Sequence, residues 1–473
     1  MAYDAVIVGS GPNGLSAAIT LARAGRRVLV CEAKDQLGGG MRSAELTLPG
    51  FVHDICSAIH PLGIASPFFQ NTPLEKFGLH WIQPELPVVH PLPDGTAAVL
   101  QRSLSATAES YGADAQAYCG LVELFVADAE KLLAQILAPP GIPRHPWLMA
   151  RFARQGLRSA EQIVNAYFSE DRVRGMFAGM AAHSVRPLES GLTGAVGLMF
   201  CLTAHASGWP LPQGGSQSIA NAMQGYLESL GGEVVTGTEI ESMADLPAAS
   251  AVLFDLAPRA VSRIAAEQLP VRYRHKLERF RHGPGVFKID WALDGPIPWS
   301  CAAARRAGTV HVGGTFEEIA AAEAGVWTGK IPARPFLLLA QQSLFDDSRA
   351  PAGKQTGWAY CHVPSGCTVD MTEKIEAQVE RFAPGFRDLI LGRHTLNPAA
   401  MEQYNANYVG GDISGGVMDL AQLFARPALR LSPYTTPNKK LFLCSASTPP
   451  GGGVHGMCGL HAARAALRTV LRA

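Results

Sequence analysis

The 473-residue chain, 50.2 kDa in mass, is long enough for two or three domains with large cores, which excludes a disordered or peptide-like protein. Forty basic residues balance forty acidic ones, the pI is about 7.2 and no Lys/Arg-dense block stands out, so nucleic acid is not an expected partner. Only 17% of residues are charged, 47% are hydrophobic and the mean hydropathy is +0.09, which suits a greasy ligand pocket or a buried subunit interface but also follows from an alanine-rich chain.

Asp4 to Val8 (DAVIV) reads as a strand, Pro12 to Ala24 as a helix ended by Gly25, and Arg27 to Cys31 (RVLVC) as a second strand. A strand starting at Tyr3 leaves no room for a signal or transit peptide, so a cytoplasmic protein is expected. The spacing predicts a helix from Ala113 to Leu137, broken by Pro139, Pro140 and Gly141, then helical structure over about 147 to 180, together a helical cap. Gly191 to Trp209 lacks Asp, Glu, Lys and Arg, yet it holds four glycines and His205 and is followed by Pro210. It reads as a buried helix or pocket wall and not as a transmembrane segment. Gly214 and Gly215 precede a predicted helix over about 216 to 230, Gly231 and Gly232 end it, and strands follow at Glu233 to Val235 and Ala251 to Leu256. Residues 286 to 293 and short runs through 364 read as sheet, Thr372 to Phe382 as helix, and the last 33 residues as strand, glycine loop and helix.

The expected fold class is α/β, α+β overall. A Rossmann-like dinucleotide domain from residues 1–70, 200–260 and 425–473 is interleaved with a mixed-sheet and helical substrate domain from 71–199 and 261–424. Nine scattered cysteines, an odd number without CxxC, argue against a disulfide framework, dithiol chemistry and a zinc site; no metal is expected.

Gly9, Gly11 and Gly14 form GxGxxG (GSGPNG) between a strand and a helix. The first permits the turn, the second lets a pyrophosphate approach the backbone, and the third lets helix pack on strand. Glu32 ends the following strand, eighteen residues after Gly14, where a carboxylate can accept from ribose hydroxyls and disfavours a 2′-phosphate. Gly38, Gly39 and Gly40 followed by Arg42 give a second backbone-exposing loop beside a cation, able to hold more phosphate or ribitol. Gly451, Gly452 and Gly453 precede a helix predicted from about Val454 to Arg472, whose N-terminus could stabilise negative charge on a reduced ring.

The opening DAVIVGSGPNGLSAAITLARAGRRVLVCEA with LGGGMRS, and the closing GGDISGG, FARP and LFLCSASTPPGGGVHGMCG, resemble the phytoene desaturase-like branch of the FAD-dependent amine oxidase and carotenoid oxidoreductase superfamily. The resemblance implies FAD bound through Gly9, Gly11, Pro12, Asn13, Gly14, Glu32, Ala33, Gly39, Gly40, Met41, Arg42 and the 444–456 segment, including Ser445, Gly453, Val454 and His455. It places Val234 or Val235 on the adenine side and a substrate domain facing the flavin. The sequence departs at Ser445 and Ser447, where relatives often carry glycine and an acidic residue that holds the ribitol.

For catalysis, Lys288 in GVFKIDWALDGPIPW resembles the strand lysine that amine oxidases place near flavin N5 through a water; an ordinary strand lysine is the alternative. His455 could stabilise reduced flavin or shuttle a proton, or could cap a helix. His60 could border the pocket, His53 and Asp54 could be loop polar groups, and Tyr404, Tyr408 and Trp291 could be pocket wall or aromatic core. No Ser/His/Asp order, HExxH, Walker loop or paired-carboxylate signature appears. The expected function is an FAD-dependent oxidoreductase moving hydride to or from an apolar small molecule by C–C desaturation, saturation or isomerisation. A peroxide-producing amine oxidase and a flavin-binding regulatory protein with low turnover are the alternatives. The composition is compatible with peripheral membrane contact and with a homo-oligomer.

Overall fold

Gly9, at φ 98°, sets the first turn of the chain, and Pro12 supplies the first helical residue after a Gly11 N-cap. In the computed structural model, which describes residues 2–472, this turn joins strand Tyr3–Val8 to helix Pro12–Arg23, and strand Val28–Cys31 follows. A five-stranded sheet runs in the order Leu441–Leu443, Ala249–Phe254, Tyr3–Val8, Val28–Cys31, Glu233–Val235, and every adjacent pair is parallel. Both faces are covered, as a parallel sheet requires. Ala5 and Ile7 pack under helices Pro12–Arg23, Gln217–Ser229 and Met457–Thr469, while Val6 and Val8 pack with residues of Pro258–Ile264 and Val271–Glu278.

Two helices of this layer meet backbone to backbone, because a Cβ at Gly459 would collide with Asn13 O. The last helix starts at Met457 and not at Val454, since Gly453 (φ 127°) and Gly456 (φ 67°) hold the backbone out of the α region until then; it ends at Thr469. The single helix expected from Ala113 to Leu137 is two, Ala115–Ala127 and Ala129–Ile136. Asp128 separates them at φ −112°, ψ 27°, a conformation its short polar side chain tolerates better than a helix former would.

The second sheet has seven strands in the order Ile390–Leu396, Gly285–Leu293, Gln355–Val363, Leu337–Ala340, Ala307–Val312, Leu86–Pro91, Ala97–Leu100. Its pairs are antiparallel except Ala307–Val312 with Leu86–Pro91. Strand alternation gives it two different faces. Ile289, Trp291, Leu337, Leu339 and Cys361 enter an apolar core with Ile375 and Val379 of helix Thr372–Phe382. The register places His90, Thr309, His311, Leu338, Trp358, Tyr360, Lys288 and Asp290 on the opposite face. Helices Asp171–Ala182 and Thr193–Ala206 belong to the large core above part of that face. The uncharged 191–209 stretch forms the second of these, and no described helix is long and apolar enough to cross a membrane.

Candidate functional site

A single cavity of about 450 Å³ connects the glycine turn of the parallel sheet to the second face of the seven-stranded sheet. At one end lie Gly9, Gly11, Pro12, Asn13, Glu32 and Ala33; Gly39, Gly40, Arg42, Ser445, Ser447, Gly453 and Val454 line its middle. At the other end stand His183, Phe200, Trp209, Leu338, Trp358 and Tyr360.

The glycine turn has no room for side chains. A Cβ at Gly14 would collide with Gly9 O, one at Gly9 would lie 2.9 Å from Asp255 O, and one at Gly11 would lie 2.6 Å from Asp255 Oδ2. Glu32 is buried at the tip of its strand, accepting from Ser10 N (3.0 Å), Ser10 Oγ (2.5 Å), Lys34 N (3.0 Å) and Arg42 Nη2 (3.0 Å). Arg42 also donates from Nε to Gln36 O at 2.8 Å, so the cation is locked beside the carboxylate. Asp255, at the end of strand Ala249–Phe254, accepts from Gly14 N at 2.8 Å, using one of the amides exposed at the helix N-terminus. Burial pushes its carboxyl up to about 7, with the nearby Glu32 charge adding to the effect.

These residues fit a dinucleotide. Gly9 and Gly11 bring no side chain to the helix N-terminus, where Asp255 Oδ2 takes the Gly14 amide, Glu32 stands where ribose hydroxyls would reach it, and the buried Asn13 Oδ1 has no hydrogen-bond partner among the described residues. Tyr404 and Tyr408 also line the cavity, and Tyr404 OH donates to Gly39 O at 2.6 Å, bracing the second glycine loop.

Four expected cofactor residues lie just outside the lining. Gly14 is beneath the turn, and Met41 is in the core behind the second loop. Val235 accepts from Glu32 N at 2.8 Å through its carbonyl, while Thr238, Glu239 and Ile240 line the cavity beyond it. His455 caps the last helix: Nδ1 accepts from Met457 N at 3.1 Å and Nε2 meets Gly451 O at 3.2 Å. Burial lowers its pKa to about 4, so the imidazole is neutral.

Lys288 lies on the cavity face of the sheet but does not line the cavity. It is almost fully buried, with its ammonium paired to Asp290 and 5.9 Å from the centre of the Trp358 ring. His53 Nδ1 is 3.6 Å from the same aspartate, and Asp54 accepts from Arg349 Nη2 at 2.8 Å; neither lines the cavity. His60 does, with Nε2 2.8 Å from Ser216 Oγ and its pKa lowered to about 4 by burial. Trp291 belongs to the core on the far side of the sheet.

The far end is aromatic. The rings of His183 and Phe200 are 4.4 Å apart, Phe200 and Trp209 5.7 Å, Trp358 and Tyr360 5.3 Å. Trp209 Nε1 donates to Thr309 Oγ1 at 2.8 Å, which leaves the indole face to the cavity. Asp255 and His183 were not legible as site residues. The DLAP step after a buried strand was the one available signal for Asp255, and AAHS at the end of a helical run the one for His183.

Residues 7–70 match the family described as NAD(P)-binding Rossmann-like domain. Over 98% of its length the chain is 26% identical to the Rattus norvegicus pyridine nucleotide-disulfide oxidoreductase domain-containing protein 2, covering 93% of that protein. It is 24% identical to phytoene dehydrogenase of Streptomyces griseus across 76% of this chain and 73% of the other. A solved oxidoreductase from Methanosarcina mazei superposes with a TM-score of 0.66 at 16% identity, covering 98% of this chain and 100% of its own. Putrescine oxidase bound to putrescine superposes at 0.62 and 18% identity, with 100% of both chains covered. The glycine turn and the parallel sheet thus define a Rossmann-type dinucleotide-binding protein with the fold of flavin amine oxidases. Within that class the chain is an oxidoreductase of the FAD-dependent superfamily and a homologue of phytoene dehydrogenases.

Proposed function

We propose that the cavity holds FAD and that the protein transfers hydride to or from an apolar organic substrate, in a C–C desaturation, saturation or isomerisation. The observation that carries this is the continuity of one cavity from the glycine turn and Glu32 to the wall of Phe200, Trp209, Leu338, Trp358 and Tyr360. The helix N-terminus at Gly11 and Pro12, beside the buried Asp255, would hold the diphosphate, Glu32 the adenosine ribose, and the Gly39–Arg42 loop with Ser445 and Ser447 the ribitol side. Bound there, the flavin supplies two-electron chemistry; the protein supplies aim and dryness. Trp209, fixed by Thr309, and Trp358 with Tyr360 keep water from an apolar substrate and confine it to one approach. His60 and His455 are neutral at pH 7, so neither places a positive charge beside the ring.

A second reading, an amine oxidase reducing oxygen to peroxide, is supported by the fold shared with putrescine oxidase. It requires Lys288 to act on the cavity through a water, against its present pairing with Asp290. Anaerobic photoreduction of the FAD-loaded protein followed by air separates the two. Slow flavin reoxidation, over minutes, is expected for the dehydrogenase reading, and reoxidation within seconds would move the assignment to an oxidase.

A further inference from the structure

Histidines 90, 311 and 362 stand on the cavity face of the seven-stranded sheet, and helix Asp171–Ala182 lies across the first two. That helix has glycine wherever an imidazole presses on it. A Cβ at Gly175 would collide with His90 Nε2, and one at Gly179 with His311 Nδ1. One further turn along, His183 caps the helix, lines the cavity and brings its Nε2 to 3.4 Å from His311 Nε2. The turn that carries it is strained: Val185, a β-branched residue, has φ 52° and is held there by Trp327 Nε1 donating to its carbonyl at 3.0 Å.

The proton positions follow from partners. Burial takes His183 down to about 3 and His311 well below the ordinary imidazole value, so each ring carries one proton at pH 7. His311 Nδ1 is buried against the Gly179 backbone with no partner. A proton there would be an unpaired buried donor aimed at the helix, so it sits on Nε2 and is donated to His183 Nε2. With Nε2 accepting from His311, His183 keeps its own proton on Nδ1, which makes no hydrogen bond to the described residues. The arrangement puts an N–H donor in the aromatic wall, where the Tyr360 hydroxyl is another polar group without a partner among the described residues.

Resting on the FAD-dependent reading above, we propose that His183 is a specificity-determining donor, selecting a substrate that carries a neutral acceptor oxygen, a carbonyl or hydroxyl, on an apolar body. A hydrocarbon would leave the N–H unpaired in a dry pocket, and an ammonium group would set donor against donor at His183, with only the neutral Tyr360 hydroxyl as a side-chain acceptor in that wall. Glu323, the buried carboxylate of helix Phe316–Trp327, is engaged by His362 Nδ1 at 2.8 Å and does not line the cavity, so it offers no counter-charge to an amine. Among the described residues no cluster of His, Cys, Asp or Glu is arranged to hold a metal, so these histidines are not a cation site.

The test uses the protein purified with its flavin and three probes of equal length, nonan-2-one, non-1-ene and nonylamine. Binding is followed by quenching of tryptophan fluorescence, since Trp209 and Trp358 stand in the wall. The expected result is ketone affinity at least tenfold above that of the alkene and the amine. His183→Phe should bring the ketone to within twofold of the alkene, and His183→Asn, which restores an N–H donor, should recover part of the preference. Flavin content of each variant reports that it has folded. A wild-type protein that binds ketone and alkene alike, binds the amine best, or binds none of the three would overturn the proposal, as would an unchanged preference in His183→Phe. Release of one FAD per chain from the same samples would leave the underlying reading standing, and flavin-free samples would remove both.

Discussion

The two ends of the cavity are built by opposite means. The glycine end is backbone: Gly9, Gly11 and Gly14 expose amides, and its two carboxylates, Glu32 and Asp255, accept from Ser10 N in the turn and Gly14 N in the first helix. The other end is side chain: His183 and Phe200 come from two helices, Trp209 from the segment after the second, and Trp358 and Tyr360 from one strand, Gln355–Val363. Backbone recognition needs a local pattern of glycines, whereas a side-chain wall needs the seven-stranded sheet and the helices packed on it to fold together. On the proposed function, the glycine end would be tied to one cofactor class, and the aromatic end would be free to vary within the same fold.

The largest loss is expected at Gly14. Gly14→Val would drive a side chain into Gly9 O, and flavin content is expected to fall at least tenfold, read as the ratio of absorbance near 450 nm to that at 280 nm. Lys288→Met would leave Asp290 buried and unpaired among His53 and His394. A loss of about 3–5 kcal/mol in denaturant unfolding is expected, with reoxidation of the reduced flavin by oxygen within twofold of wild type.

Protonation sharpens the contrast. At the substrate end and beside it, His60 and His90 are lowered to about 4 and His183 to about 3, so the folded state binds fewer protons than the unfolded one. Their contribution is complete above about pH 6.5 and is lost as pH falls toward 4. Asp255 runs the other way: raised to about 7, it binds a proton in the folded state that the unfolded chain has already released, so its contribution is lost as pH rises from about 4 to 7. Thermal melts should show wild type gaining stability from pH 4.5 to 6.5. Asp255→Asn should gain on wild type between pH 5 and 8, by about 1–3 kcal/mol. A difference that stays constant over that range would contradict the protonation assigned to Asp255. The smallest effect is expected for Glu32→Gln, which keeps the side-chain shape but removes the charge, weakening FAD binding by about 1–2 kcal/mol in an equilibrium titration.

The same contrast explains what could be read in advance. The first strand, helix and strand, the glycine cradle, Glu32 and helix Thr372–Phe382 follow from local periodicity and spacing. The uncharged 191–209 stretch was legible as a pocket wall by composition, and Phe200 and Trp209 do line the cavity. Asp255 and His183 were not, because their meaning depends on partners 241 residues away at Gly14 and 128 away at His311. Lys288 was read from its strand context alone, which could not show that Asp290, two residues on and on the same sheet face, takes up its ammonium. His455 was placed by the glycine loop before it, yet its capping of Met457 depends on where Gly456 lets the helix begin.

The proposed function requires one cavity to join a flavin dinucleotide to an aromatic substrate wall. It is tested most directly by denaturing the purified protein with acid and measuring the released chromophore. The account predicts non-covalently bound FAD, near one per chain in wild type and below one-tenth in Gly14→Val. A colourless protein that cannot be reconstituted with FAD would contradict it, as would a variant that keeps its full complement.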